Sequence, residues 1–204
     1  MTEAAAVRWD RWNAAGGPRY PHAKVVQFAF RAFPAREDRE RTPALDAGCG
    51  GGVHTVFLAA EGFPTTAIDI SPVGIETTRA RLADAGLNAE VFVGAIDELP
   101  FDSPRFGFVV CCGVLDSAGP EVARRAVPSA ARAMTPGARG VFVFASDRDE
   151  RITGENPWDL HGYSRDEVEE LFADVFGEVH IDRYITTYRG GRSEHNDWLV
   201  TVRR

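Results

Sequence analysis

The sequence predicts an α/β protein, a doubly wound, mostly parallel seven-stranded sheet with an antiparallel C-terminal strand pair. Three observations carry that expectation. From Pro43 onward, short apolar runs alternate with capped or amphipathic segments. The run Phe106–Cys112 is apolar at both alternating sets of positions, as a central parallel strand covered on both faces requires. The last strand-like runs, Glu178–Thr187 and Trp198–Arg203, are joined by YRGGRSEHND, which leaves no room for a crossover helix.

The elements follow in order. Trp9 and Trp12 share a helical spacing that breaks at Gly16-Gly17-Pro18, and Val26, Phe30 and Phe33 mark the apolar face of a second helix. AREDRERTP (35–43) has no apolar periodicity and reads as a solvated connection. A strand over 43–47 enters a glycine cluster, followed by a helix with Val53, Val56, Phe57 and Ala60 on one face. Thr65–Ile70 is a strand, and Ser71-Pro72 pairs an N-cap with a proline at the first helical position. That helix stops at Gly86, and Glu90–Val93 is the third strand. Glu121–Met134 reads as a helix that Pro128 kinks or splits, with Pro136-Gly137 ending it before a fifth strand at Gly140–Ala145. Ser164 and Glu167 form a capping box ahead of a helix that buries Val168, Leu171, Phe172 and Val175.

With 204 residues, 44% hydrophobic and 26% charged, the chain fits one ordinary globular core that needs no covalent staples. A net charge of −7 argues against a nucleic-acid partner, whose phosphates demand cations. The three cysteines, Cys49, Cys111 and Cys112, include no Cys-x-x-Cys spacing, so a thiolate zinc site is not expected and a reducing compartment is. No run approaches a membrane span and MTEAAAVRWDRWNAAGG lacks a secretory apolar core, so a cytoplasmic location without membrane contact is expected.

The chemistry concentrates in ALDAGCGGGVHT (44–55), with four glycines in five positions. Each glycine costs roughly 0.5–1 kcal/mol relative to alanine in ordered structure, so something must approach this backbone closely. In doubly wound sheets ligands sit beyond the carboxyl ends of the strands. A dinucleotide turn, G-x-G-x-x-G, counted from Gly48 would need glycine where Val53 stands. The pattern here is acid-x-G-x-G-x-G: Asp46, Gly48, Gly50, Gly52. One strand over, a carboxylate at Asp69 can accept from two vicinal ribose hydroxyls, each such bond worth about 1.5–3 kcal/mol.

These residues resemble those of the class I S-adenosylmethionine-dependent methyltransferases of small-molecule type, and the resemblance covers most of the chain. LDAGCGGG is similar to the family's first motif, AIDIS to its second-strand acid, VGAIDELPF to the segment after strand three, FGFVVCCGVLD to the fourth-strand motif, and MTPGARGVFVF to the turn before strand five. The terminal antiparallel pair is also a family trait. The resemblance implies a Rossmann-like methyltransferase core at 41–204 behind a helical lid or substrate segment at 1–40. It implies S-adenosyl-L-methionine as cofactor, met by Asp46, Ala47, Gly48, Cys49, Gly50 and Gly52 of the turn. Asp69 and Ile70 would meet it at strand two, Ala95, Ile96 and Asp97 after strand three, and Cys112 at strand four. Two positions depart from the family. Where an acid often meets the adenine amino group stands Ala95, so either Asp97 or the backbone of Ala95 and Ile96 takes that task. The histidine that often ends the fourth-strand motif is replaced by Ser117 after Asp116.

Methyl transfer by direct displacement asks the protein for alignment, and for a base only if the acceptor must lose a proton. The acceptor side is expected from Tyr20, Asp116 and His161, in the roles called catalytic here, with Arg19, His22, Asn156, Trp158, Tyr188, Arg192 and His195 in nearby loops. His54 is expected to support the turn by hydrogen bonding rather than act as base, and Arg19, Arg189 and Arg192 to attract an anionic acceptor. No metal is expected. The alternatives are other cofactor-using chemistry, such as cyclisation or elimination, a non-catalytic nucleotide-binding module, and a nicotinamide dehydrogenase, which Val53 disfavours.

Overall fold

A computed structural model describes residues 3–191 and 193–204. Arg192, expected in an anion-attracting cluster, lies outside the described residues. The elements run α1 (Glu3–Ala14), α2 (Ala23–Ala32), α3 (Arg36–Glu40), β1 (Ala44–Ala47), α4 (Val53–Ala60), β2 (Thr65–Asp69), α5 (Pro72–Asp84) and β3 (Glu90–Val93). A short 3-10 turn at Ile96–Glu98 precedes β4 (Phe106–Cys112), α6 (Leu115–Ala118), α7 (Pro120–Ala133) and β5 (Met134–Ala145). The chain continues through α8 (Glu150–Thr153), α9 (Arg165–Phe172), β6 (Glu178–Tyr188) and β7 (Ser193–Arg203).

The seven strands pair in the order β3-β2-β1-β4-β5-β7-β6. The first five are parallel, and β7 inserts antiparallel between β5 and β6. Strand order reverses between β1 and β4, where a ligand crevice belongs. Alternation along each strand divides the core. Leu45, Val109 and Phe142 face α7 and α9, whereas Ala44, Phe108 and Val141 face α2 and α4. Asp46 shares the second face with Ala44, two residues before it.

Local signals placed several boundaries. Ser71 Oγ accepts from Gly74 N at 2.9 Å with Pro72 at the first helical position. Both halves of the Ser164–Glu167 capping box are formed, at 3.3 and 2.8 Å. Five expectations are corrected. Helix α7 runs unbroken through Pro128, whose missing N–H orphans only the carbonyl of exposed Arg124, on the wet side where water can replace the partner. Segment 35–43 is not a mere solvated connection: α3 buries Arg39, which donates to the carbonyls of Phe33, Pro34 and Glu61 at 3.0 Å each. Helix α2 buries Val25 and Ala29, while Phe30 turns outward against Phe57 and the Arg39 guanidinium. Strand β7 begins at Ser193, so His195 stands on a strand paired with Thr186 and meets Tyr188 edge-on rather than lying in a loop. Strand β5 likewise starts at Met134 and bulges across Pro136-Gly137, since Phe106 pairs with Met134 but Phe108 with Arg139.

Candidate functional site

A cavity of about 570 Å³ opens at the carboxyl ends of the parallel strands, within the size range of small-molecule sites. The turn after β1 forms its floor. Gly48, Gly50 and Gly52 have φ of +83°, +50° and +81°, the left-handed region where a side chain is strained. Gly48 N and Cys49 N donate to Ile68 O at 2.8 and 3.0 Å, which pins the turn to β2. A Cβ on Gly48 would overlap the Val114 methyls.

Asp69 lines the same cavity. Its Oδ2 accepts from Gly50 N and its Oδ1 from Ser71 N, both at 2.8 Å. Burial raises its pKa, against those two donations. Each carboxylate oxygen has a second lone pair, so Asp69 holds the turn and still offers acceptors to a diol.

Gly48, Cys49, Gly50, Asp69, Ile70, Ile96 and Cys112 line the cavity, as do Tyr20 and Asp116. Six others expected to bind cofactor or to act in catalysis do not. Asp46 points toward α4, where Oδ2 accepts from Thr55 Oγ1 at 2.6 Å, and burial raises its pKa to about 6. Ala47 packs in the core on the opposite face. Gly52 serves helix packing, because a Cβ there would sit 2.7 Å from Thr78 Cγ2. Ala95 does not reach the cavity. Asp97 turns away from it to pair with Arg125, at 2.8 and 3.2 Å. His161 is turned outward, with Nε2 3.1 Å from Glu167 Oε1 and its ring edge-on to Tyr163, so it braces the α9 cap. Arg19 does not line the cavity, and Arg189 sits at the exposed tip of the β6–β7 hairpin.

The cover comes from α1. Asp10 Oδ1 accepts from Ser71 Oγ at 2.5 Å, tying α1 to the start of α5. Arg81 reaches the carbonyls of Gly16 and Pro18 at 3.3 and 3.5 Å. Trp9 stacks on Trp158 at 6.2 Å between centroids, Trp12 meets it edge-on at 4.9 Å, and Arg8 pairs with Asp159 at 3.3 Å. The two tryptophans of α1, read in sequence only as a helical spacing, thus close the cavity against the segment after α8.

On the far side from Asp69, His22 N donates to His54 Nε2 at 3.0 Å, and Lys24 N donates to His22 Nδ1 at 3.3 Å. Burial lowers both histidine pKa values, that of His54 to about 4, so both rings are neutral at pH 7. Asp116 is nearly inaccessible, with Oδ2 accepting from Ala145 N at 3.0 Å and Oδ1 from Ser117 N at 3.1 Å, and burial raises its pKa to about 6. Arg151, which no sequence motif marks, lines this end and is held by Asp149 at 2.8 Å and by Asp197. Burial pushes all three cysteine thiols up, which keeps them protonated. Among the described residues no group of three or more His, Cys, Asp or Glu side chains is arranged to hold a metal, and no helix is long and apolar enough to cross a membrane.

Comparison with known proteins fits this geometry. A methyltransferase-domain family model matches residues 44–137. A ubiquinone biosynthesis O-methyltransferase of Xylella fastidiosa (strain 9a5c) is 32% identical over 138 residues, 67% of this chain and 55% of the relative. The chain spans about half the length of the curated relatives it matches. In fold, a SAM-dependent methyltransferase of Methanosarcina mazei superposes with a TM-score of 0.71 at 22% identity, covering 91% of this chain and 98% of the other. The cyclase SpnF superposes at 0.70 with 16% identity, covering 98% and 96%. The turn, the second-strand acid and the strand order agree with these likenesses, and residues 44–137 are a methyltransferase domain of the class I S-adenosylmethionine-dependent kind.

Proposed function

We propose that the chain moves a methyl group from S-adenosylmethionine to a small-molecule acceptor by direct displacement. One observation carries this: a single cavity is lined by Asp69 and the bare turn on the β2–β1 side and by Asp116 and Arg151 on the β4–β7 side, giving a nucleotide and an acceptor adjoining places. When bound, the cofactor supplies an electrophilic methyl carbon with its own leaving group.

The protein's residues then bind and orient. Asp69 takes the ribose diol with its spare lone pairs, and the backbone of 48–51 admits the methionine end where side chains would obstruct it. Ile70 and Ile96 flank the adenine side. Residues 1–40 act as cover, with Trp9, Trp12 and Trp158 excluding water, and 41–204 as the core. Such alignment contributes about 7–11 kcal/mol without any catalytic triad. Tyr20, at the mouth, contacts the acceptor.

The test is incubation with S-adenosylmethionine and a panel of small aromatic acceptors, followed by mass analysis. S-adenosylhomocysteine together with a methylated acceptor supports the proposal. Methylthioadenosine as the product, or no binding heat at millimolar cofactor, overturns it.

A further inference from the structure

Among the described residues three buried side-chain polar atoms lack a hydrogen-bond partner: Arg8 Nε, Asn13 Oδ1 and Asp97 Oδ1. Of these three residues only Asn13 lines the cavity. It follows Trp12 on α1 and is 5% exposed, with Oδ1 closed to solvent, so bulk water does not serve it. A buried carbonyl oxygen without a donor is costly, and native structures rarely leave one so.

The surroundings leave room for this amide and nothing larger. A Cβ on Gly50 would lie 3.2 Å from Asn13 Oδ1, and a Cβ on Gly74 would lie 2.7 Å from Nδ2 and 3.1 Å from Cγ. Gly74 stands near the start of α5, where alanine suits a helix better, so the space it leaves serves its neighbours. Helix α1 is fixed here by three tethers: Asp10 on Ser71, Trp9 and Trp12 on Trp158, and Arg8 on Asp159. Packing alone would be met by an apolar side chain at 13. An amide held in this place, with its oxygen unpaired, calls for a donor that arrives with a ligand.

We infer that Asn13 is a cofactor-binding residue: Oδ1 accepts a hydrogen bond from the sugar–methionine half of S-adenosylmethionine, and α1 thereby closes over the cofactor. This rests on the cofactor's place at Asp69 and the glycine turn, and deepens it. The donor is a ribose hydroxyl or the α-ammonium. Both belong beside Gly50, whose N–H holds Asp69 and whose main chain is part of the turn that admits the methionine end. The adenine amino group lies elsewhere, on the side of Ile70 and Ile96. The terminal torsion of asparagine is soft, so Oδ1 turns to a donor that enters the cavity. Without cofactor, closing α1 buries this oxygen unpaired; with cofactor, the same closure completes a hydrogen bond. The cover and the cofactor therefore favour one another.

The experiment is calorimetry on the intact protein with S-adenosylhomocysteine and with its deaminated, 2′-deoxy and 3′-deoxy forms. Parent and Asn13→Ala are compared, alanine being the residue a helix accepts most readily. Asn13→Ala is expected to weaken S-adenosylhomocysteine binding at least fivefold. For the one form that lacks the donor, parent and variant should bind within twofold of each other, and that form names the donor. For the other two forms the fivefold loss should persist. A smaller loss with S-adenosylhomocysteine overturns the inference. So does an equal loss with all four ligands, which is what an asparagine that only packs α1 would give. No binding heat from the parent with S-adenosylhomocysteine would overturn the cofactor assignment itself, and is told apart from the other outcomes because it appears before any variant is made.

Discussion

Replacing Gly48 by alanine tests why the turn is bare. At φ +83° the added Cβ makes the backbone strained by about 1–2 kcal/mol. The same Cβ would lie 2.8 Å from Val114 Cγ1 and closer still to Cγ2, well inside contact distance. Overpacking of this kind costs about 1–3 kcal/mol. The sum, about 2–5 kcal/mol, is a large share of the 5–15 kcal/mol typical of a domain. The two parts are separable. Val114→Ala removes both methyls and so relieves the overlap while leaving the backbone strain. Urea unfolding of parent, both single variants and the double variant should give a coupling of about 1–3 kcal/mol, the double being less damaged than the two losses added. Gly48→Ala within 0.5 kcal/mol of the parent, or strict additivity with Val114→Ala, would refute the claim that Val114 and the left-handed backbone together exclude a side chain here.

Other outcomes follow from the same geometry. Asp69→Ala should weaken S-adenosylhomocysteine binding at least tenfold by calorimetry, the loss of a hydrogen bond to a charged group being worth about 1.5–3 kcal/mol, and should also lower the melting temperature because Gly50 N and Ser71 N lose their acceptor. Asp46 has a folded pKa raised from 3.8 to about 6, so its contribution to stability is fully present below pH 3.8 and is lost as pH rises through 6. At 1.36 kcal/mol per pH unit that loss is on the order of 3 kcal/mol. Asp46→Asn, with an amide oxygen still able to accept from Thr55, should therefore stabilise the protein at pH 8 and not at pH 4; equal effects at both pH values in denaturation curves would contradict the buried charge. Ser164→Ala removes one half of the capping box and should cost about 1 kcal/mol in the same assay, with S-adenosylhomocysteine affinity unchanged.

The fold was legible where local chemistry and burial agree. Phe106–Cys112 is covered on both faces, so an unbroken apolar run had one meaning, and Ser71-Pro72 and Ser164–Glu167 are caps whose hydrogen bonds involve near neighbours. The misplaced details depend on partners distant in sequence. Arg39 lies beneath carbonyls from the ends of two other helices, which a charged run cannot announce. Phe30 turns outward because Phe57 and Arg39 receive it there. At the site, the glycine pattern marked the turn, but two of its members serve other ends. Gly52 makes room for Thr78, and Asp46, by the alternation of β1, faces α4 and not the strand's open end. Arg151 had no motif because its place comes from Asp149 and Asp197, the latter on the terminal antiparallel strand.

The most direct measurement is a crystal structure with S-adenosylhomocysteine. The ribose hydroxyls should lie on Asp69, the methionine end against main chain 48–51, and the sulfur should face the space bounded by Cys112, Asp116 and Arg151. A ligand bound elsewhere, or a ribose whose hydroxyls do not meet Asp69, would contradict the account.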